Sequence, residues 1–261
     1  MLALTAPFSL TPDALTVAFL MSVRISALFL TIPVFSSRAV PVMTKVGLAI
    51  VISVVLLPTT APNAVVPETL GHLAIAVGKE LVVGVLAGFA VSLLFASLNV
   101  AASIAGIQVG FGFSNTIDLT YSGQSTALDQ LFTGMAALIF LTGNFHHTFL
   151  AGVQGLFDVM PPNAFSLYRV SQQGLVELSA NMFLVALRIV LPLMGALLLA
   201  EVAMGIIART APQMNVFFVG LPIKIALGII ALIIMLPFVV NGIEGLLSHT
   251  TRDMALILRY R

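Results

Sequence analysis

GKELVVGVLAGFAVSLLFASLNVAASIAGIQ, residues 78–108, is the stretch that decides the fold. Beyond Glu80 no charge occurs until Asp118. The apolar run belongs to a helix predicted from Glu68 to Gln108, about 60 Å long at about 1.5 Å per residue. That is about twice the hydrocarbon thickness of a bilayer, roughly 30 Å. Either the helix breaks, or it does not cross a bilayer in the usual way. Its small residues fall in register: Gly84, Gly88, Ser92 and Ala96 recur every fourth position, and Ala102, Gly106 and Gly110 do so further on. Such a ridge lets a neighbouring backbone approach closely, so Gly84, Gly88 and Ser92 are expected to be helix-packing positions.

The whole chain shares this character. Of its 261 residues 59% are apolar and only 8% charged, against about 25% charged in soluble domains. Nothing is left to make a polar surface, and the length accommodates about six spans of roughly 20 residues. Yet Arg24, Lys79, Glu80, Arg188, Glu201 and Lys224 interrupt runs that otherwise read as membrane-spanning. Each would cost about 2.5–3.5 kcal/mol at the centre of a lipid-exposed helix. These helices are therefore expected to face protein or water, as in a pore, a carrier or one subunit of a larger assembly. The net charge of +1, with no basic stripe and no Trp, argues against a nucleic-acid partner. Cysteine is absent, which excludes disulfides and thiolate metal sites. The first Arg is Arg24, inside the first apolar stretch, so a cleaved signal peptide is not expected.

The first span reads from about Asp13 to Phe35. Thr11-Pro12-Asp13 supplies a capping hydroxyl, a proline at the first helical position and an acid in the first turn. Pro33 and Pro41 bracket a link. A second span from Val42 to Leu57 is expected to stop at Pro58, and Pro62, Asn63 and Pro67 mark another link. After the long third element, GFGFSNTIDLTYSGQS, residues 110–125, breaks the helical pattern. Non-helical backbone at membrane depth is tolerated only where protein or a water-filled cavity surrounds it. A fourth span covers about Thr126 to Thr142. The shorter helix after it carries Phe145, Phe149, Val153, Leu156 and Phe157 on one face and is expected at an interface or on a partner. The fifth element runs from Gln172 to Arg209 with a kink expected at Pro192. The sixth runs from Val216 to Val240 and is expected to break at Pro222 and Pro237. The tail to Arg261 reads as a modest amphipathic helix. Positive-inside reasoning places Arg38 and Lys45, and Arg209 and Lys224, in the cytoplasm. Six spans then put both termini outside, including the basic tail, which independent lipid-bathed helices would not do.

The charged residues allow two readings, a buried structural pair or an ion relay. Lys79 and Glu80 are adjacent and point to different helix faces. Arg188 and Glu201 lie about 220° apart around their helix. Each must find a partner on another helix or subunit. His146 and His147 diverge by about 100° and would not chelate one ion from one helix. No serine stands in a hydrolase setting, and no Gly-rich loop is followed by Lys, so neither a nucleophile nor a nucleotide site is expected. No cofactor is implied. The best functional candidate is the Gly-Phe alternation. Gly110 and Gly112 allow unusual backbone angles, and Phe111 and Phe113 can fill an apolar constriction that shuts a pore by excluding water. The alternative is an ordinary re-entrant turn.

Three blocks together resemble the FliR family of type III secretion export-gate proteins. The first is Arg24-Ile25, then Pro33-Val34-Phe35-Ser36-Ser37-Arg38 and Val40-Pro41. The second is Gly106-Ile107-Gln108-Val109-Gly110-Phe111-Gly112-Phe113, followed by Asp118. The third runs from Leu187-Arg188-Ile189 through Pro192, Glu201, Gly205 and Ala208-Arg209 to Ala211-Pro212-Gln213-Met214-Asn215-Val216-Phe217 and Gly220-Leu221-Pro222-Ile223-Lys224-Ile225. Departures at Val109, Leu119 and Asn144-Phe145-His146-His147 bear on the loop, not on membership.

The resemblance implies an all-α, polytopic membrane subunit of a helical pore ring, built with FliP and FliQ, wrapped by FlhB and lying above FlhA, that passes unfolded flagellar proteins. It implies one export-gate domain over 1–261, with 1–170 FliP-like and 171–261 a FliQ-like hairpin and tail. The loop 106–122 would be the pore plug, carried by Gly106, Gly110, Phe111, Gly112, Phe113, Ser114 and Asp118. The ionic positions Arg24, Lys79, Glu80, Arg188, Glu201, Arg209 and Lys224 would make buried or inter-subunit contacts. The ring would belong to the flagellar basal body in the bacterial inner membrane, partly above the bilayer plane on the periplasmic side. The competing classes are a stand-alone carrier or channel and an injectisome counterpart.

Overall fold

The computed structural model describes residues 11–36, 40–111, 127–166, 171–211, 213 and 215–248. Among them the chain forms helices and turns and no strand. The helices are α1 (Pro12–Thr31), α2 (Pro33–Ser36), α3 (Val42–Thr60), α4 (Leu70–Val109), α5 (Ala127–Thr142), α6 (Phe145–Val159), α7 (Gln172–Thr210) and α8 (Val216–Ser248), with a single 3₁₀ turn at Ala61–Asn63. Five are long and apolar enough to cross a membrane, or six if α5 and α6 count as one broken span. The chain is an all-α polytopic membrane protein.

Local chemistry explains most boundaries. The Thr11 hydroxyl accepts from the Ala14 N–H at 3.2 Å, and Pro12 opens α1. That helix stops at Thr31 instead of continuing to Phe35, because Ile32 precedes Pro33 and adopts extended angles (φ −81°, ψ 126°), as a residue before proline prefers. Pro58, Pro222 and Pro237 do not act as expected. Pro58 lies inside α3, which closes two residues later with the Ala61 N–H on the Leu57 carbonyl. Pro222 and Pro237 lie inside α8, which runs on to Ser248 instead of ending at Val240. A proline removes one hydrogen bond of many, and apolar helices packed on neighbours absorb that loss. The long third element does not break: α4 is 40 residues long and α7 is 39. The tail beyond Ser248 lies outside the described residues.

The chain divides into two compact units that interleave along the sequence. The first draws on residues up to Leu93 together with His146–Leu178, the second on Leu94–Phe145 and Ser179–Ser248. This division by compactness is a separate matter from the cut expected at 170/171, which concerns likeness to FliP and FliQ.

In the first unit α1 buries Val17, Leu20, Met21, Ile25 and Leu28. Phe29, Phe35 and Phe149 form an aromatic cluster with centroids 4.7–6.2 Å apart. The apolar face of α6, expected at an interface or on a partner, is turned into its own chain. Phe149, Val153, Leu156 and Phe157 are all buried, since four large apolar groups find cover beside α1. Gly84 and Gly88 lie against α1. A Cβ on Gly84 would come 2.7 Å from the Ala27 Cβ, and one on Gly88 would come 2.9 Å from the Thr31 Cβ.

In the second unit Val190, Leu193 and Leu197 of α7 and Met235, Val239 and Ile243 of α8 are buried. A Cβ on Gly242 would rest 3.6 Å from Ile189. Most of the apolar surface of these helices stays uncovered: only 22% and 17% of their most apolar windows are buried within the chain.

Candidate functional site

In the first unit the Arg24 and Glu80 side chains are both fully buried. The Arg24 Nε donates to Glu80 Oε2 at 2.5 Å, its Nη1 to the Met160 carbonyl at 2.7 Å and its Nη2 to the Pro161 carbonyl at 3.4 Å. The guanidinium carbon lies 4.6 Å from the centre of the Phe157 ring. The second carboxylate oxygen of Glu80 accepts the Asn163 N–H at 2.7 Å. Asn163 sits at φ 64°, in the left-handed region where Asn is among the few tolerated side chains. Its side chain accepts from Lys79 at 3.2 Å and donates to the Val65 carbonyl at 3.1 Å. One buried ion pair, joined through Asn163 to Lys79, thus ties α1, α4 and the corner after α6. Adjacent Lys79 and Glu80 reach the same Asn163 from one helix, a convergence that their divergent faces did not suggest.

In the second unit the segment leading to the Gly-Phe alternation is anchored. Gly110 ends α4 at φ 105°, a conformation suited to glycine, and a Cβ there would come 3.1 Å from Leu221. The residue before Gly110, Val109, packs on Gly228 of α8, where a Cβ would come 2.6 Å from its side chain. The Gln108 amide donates to Glu201 at 3.4 Å, and Lys224 pairs with the same carboxylate. Glu201 and Lys224 also border a groove of about 400 Å³ with Met204, Gly205, Gly220 and Leu221. Elements of the second and third sequence blocks therefore meet at one place, the root of the loop. Gly106 is buried and Phe111 half-buried, whereas Gly112, Phe113, Ser114 and Asp118 lie outside the described residues.

The remaining candidates scatter. Ser92 bonds its own helix, on the Phe89 carbonyl at 2.8 Å. Arg188 and Arg209 are exposed. Among the described residues neither has a hydrogen-bond or ionic partner. The rings of His146 and His147 lie 4.3 Å apart, closer than the divergence of neighbours suggested, but no third metal ligand converges on them among the described residues. Sequence reasoning missed Asn163 and a polar ladder between α4 and α5. There the Thr133 hydroxyl donates to Asn99 at 2.8 Å and the Ser103 hydroxyl to Asp129 at 2.9 Å. The only signal was the spacing of four in both pairs, Asn99/Ser103 and Asp129/Thr133.

The family model for Bacterial export proteins, family 1, matches residues 15–250. The flagellar biosynthetic protein FliR of Bacillus subtilis is 33% identical over 94% of this chain and 96% of its own length. The chain belongs to the FliR family. FliR of Escherichia coli is 29% identical over 90% of each chain. The Yop proteins translocation protein T of Yersinia pestis is 28% identical over 90% of this chain and 88% of its own. As a FliR-family member the chain is a membrane component of a bacterial protein-export apparatus and not an enzyme.

Proposed function

We propose that the chain is a core subunit of the flagellar type III export gate that forms and closes, with FliP and FliQ, the channel for unfolded flagellar proteins. FlhB at its mouth and FlhA beneath complete the reading. The observation that carries it is the anchored loop root. Gly110 is held against Leu221, and Gln108 reaches the Glu201–Lys224 pair. A segment that must block a pore reversibly needs a fixed base and a mobile tip, and two glycines flanking Phe111 suit the tip. Helices of 40 and 39 residues far exceed the roughly 30 Å hydrocarbon core. Placing much of the ring above the bilayer on the periplasmic side accommodates them. Deleting residues 110–122 is expected to produce ion leakage through the membrane-embedded complex; unchanged leakage in an assembled complex rejects the plug.

A service in an injectisome is the second reading, favoured by the 28% identity to the Yersinia protein, nearly that of the E. coli relative. Complementation of a non-motile fliR-null strain separates them. Restored motility supports the flagellar role, and failure despite membrane expression and complex assembly supports the other.

A further inference from the structure

The polar ladder has no place in either pair cluster. Asn99 meets Thr133 and Ser103 meets Asp129, so the register is antiparallel and the rungs lie one helical turn apart, about 6 Å along the axes. Asn99 and Thr133 are exposed, and Ser103 and Asp129 half-exposed. The Asn99 amide nitrogen has no partner among the described residues, and Ala137, one turn on from Thr133 along the same face, is half-exposed. The opposite side of α5 is apolar and exposed, with Leu131 at 48% and Leu138 at 63%. Polar groups left open in lipid are costly, so the two faces of this helix meet different surroundings. The ladder also leads to one destination. Ser103 lies six residues before the end of α4 at Val109, about 9 Å from the loop root, and Asp129 stands in the first turn after the loop.

We infer that the Asn99–Thr133 and Ser103–Asp129 stripe lines the water-filled conduit and contacts the backbone of an extended polypeptide in transit. The inference rests on the gate reading above and adds the surface that the substrate slides along. An unfolded chain presents unpaired carbonyls and N–H groups without a fixed sequence. The free Asn99 amide can donate to the first, and the Thr133 hydroxyl oxygen can accept from the second. A neutral amide and hydroxyl bind such groups weakly enough to let them go, which conduction requires.

The chain has no cysteine, so single-cysteine variants can be read directly. N99C, T133C, A137C and L138C are introduced into the assembled complex in membrane vesicles. A charged, membrane-impermeant thiol reagent is supplied on both faces, with and without an export substrate stalled by a folded block. The expected result is labelling at positions 99, 133 and 137 several-fold faster than at 138, and slowed several-fold by the stalled substrate. Labelling as slow as at 138, whether lipid or a partner protein covers the stripe, overturns the inference. So does labelling that the substrate leaves unchanged. Position 137 extends the Asp129–Thr133 face by one turn and reports even if N99C or T133C disturbs assembly. Should loop deletion cause leakage while these cysteines stay unreactive, the gate stands and the stripe falls. Should deletion cause no leakage while the substrate still protects T133C, the plug falls and the stripe stands.

Discussion

Glu80 shows how a membrane chain keeps a charge it cannot expose. Its carboxylate is fully buried and spends both oxygens, one on Arg24 and one on the Asn163 N–H. Removing one partner of a buried ion pair costs about 3–5 kcal/mol, and E80A is expected to fall in that range by detergent-denaturation midpoints. An apolar pair of similar volume often repairs such a deletion elsewhere. Here it should not, because Arg24 also satisfies the Met160 and Pro161 carbonyls. A buried backbone group left unpaired costs about 1–3 kcal/mol. R24M/E80L is therefore expected to stay less stable than the unsubstituted chain, and stability equal to or above it would contradict this account. Arg24 and Glu80 were each legible as costly residues in an apolar run. Their pairing was not, since 56 positions separate them and no periodicity carries information across that distance.

Helix existence and most starts could be read from the chain, because they depend on neighbours: Thr11 caps, Pro12 opens, and the pre-proline Ile32 ends the first helix. Helix ends at internal prolines could not. The rule that proline breaks a helix comes from water, and Pro58, Pro222 and Pro237 sit within apolar helices whose packing overrides it. The glycine ridge was visible as a pattern of four, but the neighbour it meets required the fold. Gly228 was invisible to that pattern, although it leaves the room that Val109 occupies before the loop root. G228L is expected to displace Val109 and loosen the loop without deleting it, giving ion leakage intermediate between the unsubstituted complex and the 110–122 deletion. G78L, where a Cβ meets nothing within 4 Å, serves as the control. Leakage no greater than that of the control would separate the loop's closure from its packed base.

At the scale of the molecule, α7 and α8 leave most of their apolar surface uncovered, and Arg188 projects there between exposed Leu187 and Leu191. No 20-residue stretch of α7 avoids both Arg188 and Glu201. A lone cation on such a face would cost about 2.5–3.5 kcal/mol in lipid, which a carboxylate or carbonyl on a neighbouring subunit would offset. R188L is expected to reduce co-purification with FliP and FliQ several-fold while leaving membrane insertion intact; full recovery of the complex would assign Arg188 to lipid instead. The Glu201–Lys224 pair, in contrast, is made within the chain, so partners cannot be counted from the number of ionic residues.

The Arg24 node also fixes an order of events during biosynthesis. Its acceptors at Glu80, Met160 and Pro161 follow it by 56, 136 and 137 residues. At about 5–20 residues per second of translation, the guanidinium waits several seconds for its counter-ion and longer for its carbonyls. The leading helix must therefore linger at a hydrated margin or inside the insertion machinery until the later ones emerge. A ribosome stalled between these positions would hold a nascent chain whose first helix has not yet settled.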